Sequence, residues 1–126
     1  MVAEWGLSHV RLQNDARYPW LILIPRQAGL VEIADLSPAD RARLMEEIVR
    51  AGELVHALAA LDGAPLDKLN VGALGNVTPQ LHVHVVGRRR GDEAWPGPVW
   101  GQGTARPYDP AALAARLSAI PPSSSP

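Results

Sequence analysis

The sequence predicts a single α+β domain in which one long helix packs on a mostly antiparallel sheet of about five strands. Short apolar runs bounded by turn residues are typical of strands. One longer stretch repeats its apolar residues at helical spacing. The chain has 126 residues, enough for one hydrophobic core without cross-links.

The composition excludes several classes of function. Hydrophobic residues make up 47% of the chain and charged residues 20%, values typical of a globular protein. The net charge is −1, so no global field favours nucleic acid or an anionic membrane, and any attraction for an anion must be local. Cysteine is absent, which excludes a disulfide framework, thiolate catalysis and a cysteine zinc site. No signal peptide or membrane-length apolar run is visible, so we expect a cytoplasmic protein with no membrane partner.

The first two strands are predicted at residues 8–13 (SHVRLQ) and 19–25 (PWLILIP). The turn residues of NDAR between them favour an antiparallel hairpin. Residues 21–24 are all apolar, as in an interior strand, and Pro25 ends the run.

The long helix is predicted to follow DLSP. Ser37 suits the N-cap, Pro38 the first helical position and Asp40 the first turn. The helix should end near Leu61, before DGAP. One apolar stripe is expected from the spacing of Leu44, Ile48, Ala51, Val55 and Leu58.

The second half of the chain predicts two more strands, at residues 68–74 and 81–86, joined by GNVTP. Asp109 and Pro110 should open a short alanine-rich helix that ends near Ile120. We expect one domain over residues 1–120 and a disordered Pro/Ser tail over residues 121–126.

Two histidines lie in the last predicted strand. Because side chains alternate along a strand, Gln80, His82 and His84 share one face, about 7 Å apart. The other face, free to dock on the long helix, consists of Leu81, Val83 and Val85.

Three interpretations of this polar row are open. It is a solvated strand face, or part of a metal site, which needs a third ligand such as His9, Glu32 or His56. The third interpretation is nucleophilic catalysis at phosphorus, because a neutral imidazole is a competent nucleophile near neutral pH. Attack through one ring nitrogen requires the other nitrogen to hold its proton against an acceptor. Backbone N–H groups of the flanking loops then suit the phosphate oxygens.

The segment QLHVHVVGR, preceded by GNVTP and followed by WPG, resembles the signature of the histidine-triad (HIT) superfamily, His-φ-His-φ-His-φ-φ with φ apolar. The order of a hairpin ending in four apolar residues and proline, a helix opened by LSP and two further strands is also similar, over roughly residues 8–101. The resemblance implies a HIT-like fold, a homodimer, and a nucleotide hydrolase or transferase with a nucleotidyl-histidine intermediate. It implies no required metal, although Mg²⁺ could neutralise a polyphosphate substrate.

The resemblance also implies roles for single residues. His82 matches the histidine that attacks the α-phosphate, and His84 the one that polarises the phosphate and leaving group. Gln80 replaces the first triad histidine, and Trp20 a further histidine common in the family; glutamine bonds to a phosphate but cannot titrate. The nucleophile is thus kept, whereas leaving-group protonation is open. Two alternatives follow: a nucleotide-binding module with weak or no turnover, and a His-x-His metal site.

Five polar residues are candidate nucleotide contacts. The resemblance points to Asn14 and Asp15 for the ribose, to Asn76 and Thr78 for the phosphate, and to Asn70 on the ligand side of its strand. Turn formation explains Asn14 and Asp15, and loop capping explains Asn76, equally well.

The segment after the histidines is basic and rich in tryptophan. Trp95 and Trp100 could close over a base or pack across a dimer interface, and packing is favoured, because tryptophan generally buries its large surface. Residues 88–90 (RRR) could attract polyphosphate, or form a solvated turn balanced by Asp92 and Glu93.

Overall fold

A computed structural model describes residues 2–124 of the chain. These residues form a six-stranded sheet and two α-helices. In chain order the elements are β1 (Ala3–Trp5), β2 (Ser8–Leu12), β3 (Trp20–Pro25), α1 (Pro38–Ala60), β4 (Lys68–Gly72), β5 (Val83–Arg88), α2 (Pro110–Ser118) and β6 (Ser123–Ser124). The strand order is β4-β5-β3-β2-β1-β6, and every neighbouring pair is antiparallel except β1 and β6. The predicted α+β class with a mostly antiparallel sheet is confirmed.

The β2–β3 hairpin forms as predicted, with Leu12 opposite Leu21 and Val10 opposite Leu23. Strand β3 lies between β2 and β5, and its residues Leu21 and Leu23 are fully buried. This agrees with the interior position inferred from its apolar run. Strand β1 was not predicted, because three residues are too few to show alternation.

Helix α1 covers one face of the sheet. The Ser37 hydroxyl accepts a hydrogen bond from the Asp40 backbone N–H at 3.1 Å, and Pro38 is the first helical residue. Most of the predicted stripe is buried in the main core: Leu44, Ala51, Val55 and Leu58. They pack with Leu81, Val83 and Val85, which fixes the orientation of β5.

The opposite face of the sheet is half covered by the C-terminal loop, defined here as residues 89–109. Val99 of this loop is buried together with Tyr18, Trp20 and Val86 of the rest of the chain. Trp100, also in the loop, packs against them. Trp100 thus packs within this chain, whereas packing of the tryptophans across a dimer interface stays a prediction. The rest of this face, which includes Ile22 and Ile24, is only partly buried.

Several predicted boundaries shift. Strand β5 begins at Val83, and β4 ends at Gly72. In α2 the Asp109 carboxylate caps the Ala112 backbone N–H at 2.8 Å.

The tail predicted to be disordered pairs with β1 over part of its length. Ser123 lies opposite Glu4 in a parallel register, and the Glu4 N–H donates to the Pro122 carbonyl at 3.0 Å. The open edge of β1 offers backbone groups that this segment satisfies. Ser125 and Pro126 lie outside the described residues. No helix within residues 2–124 is long and apolar enough to cross a membrane.

Candidate active site

The polar row lies on the sheet face opposite α1, but its members differ in exposure. His82 and Gln80 are half-buried, whereas His84 is only 8% exposed. The interpretation of the row as a solvated strand face therefore does not hold for His84. The C-terminal loop covers the part of the face where its ring lies.

The His82 ring is held through Nδ1, which lies 2.7 Å from the main-chain oxygen of Gln80. A carbonyl oxygen only accepts, so Nδ1 carries the ring proton and Nε2 carries the lone pair. This is the arrangement that nucleophilic attack through Nε2 requires. It depends on the main chain of residue 80 and is independent of its side chain.

Two clefts meet at His82. The first, of about 340 Å³, lies on the open face of the sheet and is lined by Arg11, Ile22, Ile24, Thr78, Gln80 and His82. The second, of about 330 Å³, lies beside the 3-10 turn Ile33–Asp35 and is lined by Val31, Glu32, Ile33, Ala34, Ala73, Gly75, Asn76, Leu81 and His82. Both clefts therefore border the same imidazole ring.

The loop before β5 closes over the His82 ring at Gly75. A Cβ atom at this position would lie 3.0 Å from the Thr78 carbonyl oxygen and 3.6 Å from Cε1 of His82. Glycine thus allows the loop to turn tightly against the Thr78 carbonyl oxygen, beside the His82 ring.

His84 is held by Trp20, whose indole N–H donates to Nδ1 of His84 at 3.0 Å. Indole nitrogen only donates, so the lone pair of His84 is on Nδ1 and its proton on Nε2. Ring centroids of Trp20, Trp100 and His82 lie 5.7, 5.4 and 5.1 Å from that of His84. Burial, and then the neighbouring His82, lower the pKa of His84 to about 4. At neutral pH it is an uncharged donor through Nε2.

The Gln80 side chain lines the first cleft and is held in place by main-chain carbonyl groups. Its amide donates to the carbonyl oxygens of Gln27 at 3.1 Å and Pro25 at 3.5 Å. The side-chain N–H groups of Gln80 are therefore bonded within the protein. Glutamine cannot take up or release a proton, so this position lacks the acid–base group that a histidine would supply.

Two of the predicted nucleotide contacts lie at the clefts: Thr78 in the first and Asn76 in the second. Asn14 and Asp15 line neither cleft. The Asn14 side chain accepts from the Tyr108 N–H at 2.9 Å. Asp15, 1% exposed, accepts from the Arg17 side chain and from the backbone N–H groups of Arg17 and Arg106. Burial raises the pKa of Asp15, but these hydrogen bonds outweigh it and lower the pKa overall.

The basic run 88–90 also serves the fold. The buried Arg88 guanidinium bonds the Asp92 carboxylate at 2.8 Å and the Asn70 amide oxygen at 2.8 Å. Arg89 donates to the Ala64 carbonyl at 3.0 Å. The Asn70 side chain therefore accepts a hydrogen bond from Arg88. Arg88 is the last residue of β5, at the end of the strand remote from His82.

The metal interpretation lacks support in the geometry. Across residues 2–124, no group of three or more His, Asp or Glu side chains is close enough to share an ion. His9 contacts the Glu4 carboxylate at 2.6 Å, and His56 is exposed on α1. Glu32, the remaining candidate, lines the second cleft.

Sequence reasoning missed three residues of the first cleft: Arg11, Ile22 and Ile24. The available signal was the alternation in β2 and β3, which places these residues on the histidine face. The uniformly apolar run of β3 concealed it.

Comparison with known proteins identifies the family. The HIT domain model matches residues 1–91. The chain belongs to the HIT family. Members of this family are nucleotide-binding proteins, generally hydrolases or transferases that need no metal cofactor.

Solved structures of other HIT proteins are similar over nearly the whole chain. A histidine triad protein from Bradyrhizobium japonicum is 43% identical, with a TM-score of 0.85, over 94% of this chain and 84% of that one. One from Sinorhizobium meliloti is 42% identical, with a TM-score of 0.81, over 93% and 85%. One from Marinobacter aquaeolei is 42% identical, with a TM-score of 0.80, over 94% and 82%. The comparison with curated proteins gives no match.

Proposed function

We propose that this HIT protein cleaves a nucleoside monophosphate from a phosphorus-linked leaving group through a nucleotidyl-histidine intermediate on His82. The observation that carries the proposal is the 2.7 Å contact between Nδ1 of His82 and the Gln80 carbonyl. It leaves Nε2 unprotonated on a ring that lines both clefts.

The reaction has two steps. The Nε2 lone pair attacks the α-phosphorus, a P–N bond forms, and the bond from phosphorus to the leaving group breaks with its electron pair on that group. Water then attacks the same phosphorus, its proton passes to solvent, and the P–N bond breaks to free Nε2 and the nucleoside monophosphate. A dinucleoside polyphosphate or a phosphoramidate fits this chemistry.

His84 takes the role of a neutral donor in this scheme. Its Nε2–H suits a phosphoryl oxygen, whose charge grows during attack. Because the pKa of His84 is lowered to about 4 by burial and by His82, it is not a cationic acid at neutral pH. The leaving group then takes its proton from solvent, which favours leaving groups of low basicity such as polyphosphates.

A second candidate function is nucleotide binding without turnover. Two observations favour it. The Gln80 amide is hydrogen-bonded to the main chain and the Trp20 indole to His84, and both residues replace histidines that are common in the family and can titrate. In this case the clefts hold a nucleotide, but the leaving group is never protonated.

Turnover of diadenosine tetraphosphate and of adenosine phosphoramidate tests the proposal, with His82→Asn compared against His56→Asn. His56 is exposed on α1, so its variant is a matched control. We expect His82→Asn to lower kcat by roughly a thousandfold or more and His56→Asn to leave it unchanged. Full activity in His82→Asn overturns the proposal. Nucleotide binding by calorimetry without any turnover selects the second function.

The homodimer that the family resemblance implies is part of this proposal. Sedimentation equilibrium of the full chain tests it: a mass of one chain at micromolar concentration overturns this part.

A further inference from the structure

Arg11 lies on the open face of β2 and projects over the first cleft. Its cross-strand partner is Ile22, which in turn pairs with His84 on β5. Among the described residues that line this cleft, Arg11 is the one charged side chain. The floor of the cleft, Ile22 and Ile24, is apolar and partly buried.

The charge of Arg11 is not neutralised within the described part of the chain, where no ion pair or side-chain hydrogen bond involves its guanidinium. Neighbouring arginines differ: Arg17 pairs with Asp15, and Arg26 pairs with Glu4. Glu4, the acid on the adjoining strand, is occupied by Arg26 and His9. An exposed cation therefore faces the cleft without a protein partner.

The sheet register sets the distance between this cation and the histidines. Arg11 and His84 are two strands apart, which places their Cα atoms about 10 Å from each other. An extended arginine side chain covers most of that distance. His82, two residues before His84 in the chain, lines the same cleft as Arg11.

We propose that Arg11 is a substrate-binding residue that holds phosphoryl oxygens across the first cleft from His82. The planar guanidinium offers paired N–H donors to an anion. The chain as a whole has a net charge of −1, so attraction for a nucleotide has to come from a local cation such as this one. The inference rests on the proposed function.

Calorimetric binding of AMP and of adenosine to the full chain tests this role. Arg11→Gln removes the charge, Arg11→Lys keeps it, and Arg43→Gln removes an equal charge from an exposed position of α1, on the other face of the sheet. We expect Arg11→Gln to weaken AMP binding by about tenfold or more and to leave adenosine binding unchanged. Arg11→Lys should recover part of the affinity, and Arg43→Gln should behave as the unmodified protein.

Three results overturn the inference: equal AMP affinity in Arg11→Gln and the unmodified protein, equal losses for AMP and adenosine, or an equal loss in Arg43→Gln. If any of these occurs while the unmodified chain still binds AMP and requires His82 for turnover, only the role of Arg11 is wrong. If the unmodified chain neither binds AMP nor cleaves either test substrate, the proposed function and the role of Arg11 are both wrong. Because Arg11 is exposed, its variants should unfold at the temperature of the unmodified protein, which thermal unfolding checks.

Discussion

The indole N–H of Trp20 donates to Nδ1 of His84 at 3.0 Å, and this one contact sets the tautomer of the buried imidazole. His82, two residues earlier, has the other tautomer, because its Nδ1 donates to the Gln80 carbonyl. Two neighbouring imidazoles thus carry their protons on different nitrogens: one has a free lone pair on Nε2, and the other a free donor on Nε2. The proposed chemistry needs this pair of states.

His84 should resist protonation. Burial and the nearby His82 lower the pKa of His84 to about 4. Its C2–H resonance should therefore stay constant from pH 8 to about pH 5. Titration of His84 near pH 6.5 in the folded protein would contradict the account.

The same lowered pKa of His84 makes stability depend on pH. Between about pH 6.5 and pH 4, the unfolded chain binds a proton at residue 84 and the folded chain does not. The free energy of unfolding should therefore decrease as pH falls through this window, by up to about 3 kcal/mol from this group. Urea denaturation at pH 7 and pH 4.5 measures the change. In His84→Gln this part of the pH dependence should vanish, and an unchanged slope would refute the assignment.

Trp100→Ala should expose His84. The Trp100 ring lies 5.4 Å from that of His84 and covers Gly72, where a Cβ atom would lie 3.1 Å from the indole. Loss of the ring admits water, so we expect the pKa of His84 to rise toward its usual value and stability to fall by about 3 kcal/mol. Trp95→Ala is the control, because Trp95 packs over Arg88. An equal rise of the pKa in the control would show that the effect is not local.

Asp15→Asn should act on stability and not on nucleotide binding. The buried carboxylate anchors Arg17, which also pairs with Glu93 and donates to the Gln102 carbonyl in the C-terminal loop. Removing the charge leaves a guanidinium poorly paired, which we expect to cost about 3 kcal/mol in the free energy of unfolding. Asn14→Ala should cost about 1 kcal/mol. Calorimetry with AMP measures the effect of Asp15→Asn on binding. Weaker AMP binding at unchanged stability would contradict this prediction and would support a ribose-binding role for Asp15.

Gln80→Ala should retain turnover within about tenfold, because the acceptor for His82 is the main-chain carbonyl of residue 80. Single-turnover rates beside those of His82→Asn measure the difference. A loss as large as that of His82→Asn would mean that the amide side chain itself takes part in the chemistry. Gln80→His should raise the rate with a basic leaving group if protonation by solvent limits the native protein.

The sequence was sufficient for most of the fold because its signals were local. The Ser37 cap, the apolar stripe of α1 and the turn residues between β2 and β3 each depend on neighbours a few positions apart. Strand β1 and the pairing of residues 123–124 were missed, since both depend on a distant partner and are too short for a periodic pattern.

The sequence pointed to His82, His84, Asn76 and Thr78 of the candidate site but not to most of their surroundings. Alternation placed both rings on one face. Only the three-dimensional structure shows that Trp20 and Trp100 bury His84, and that Asn14, Asp15 and Asn70 hold the C-terminal loop and Arg88. Alternation along β2 places Arg11 on the histidine face, but its position at this cleft also depends on the pairing of β2 with β3.

Trapping the intermediate is the most direct test of the central claim. Rapid acid-free quenching during turnover of diadenosine tetraphosphate, followed by mass spectrometry of the peptide that contains residue 82, measures covalent AMP. The account predicts an AMP adduct joined through phosphorus to a ring nitrogen of His82, present in Gln80→Ala and absent in His82→Asn. Turnover that proceeds with the adduct on another residue, or at full rate in His82→Asn, would contradict it.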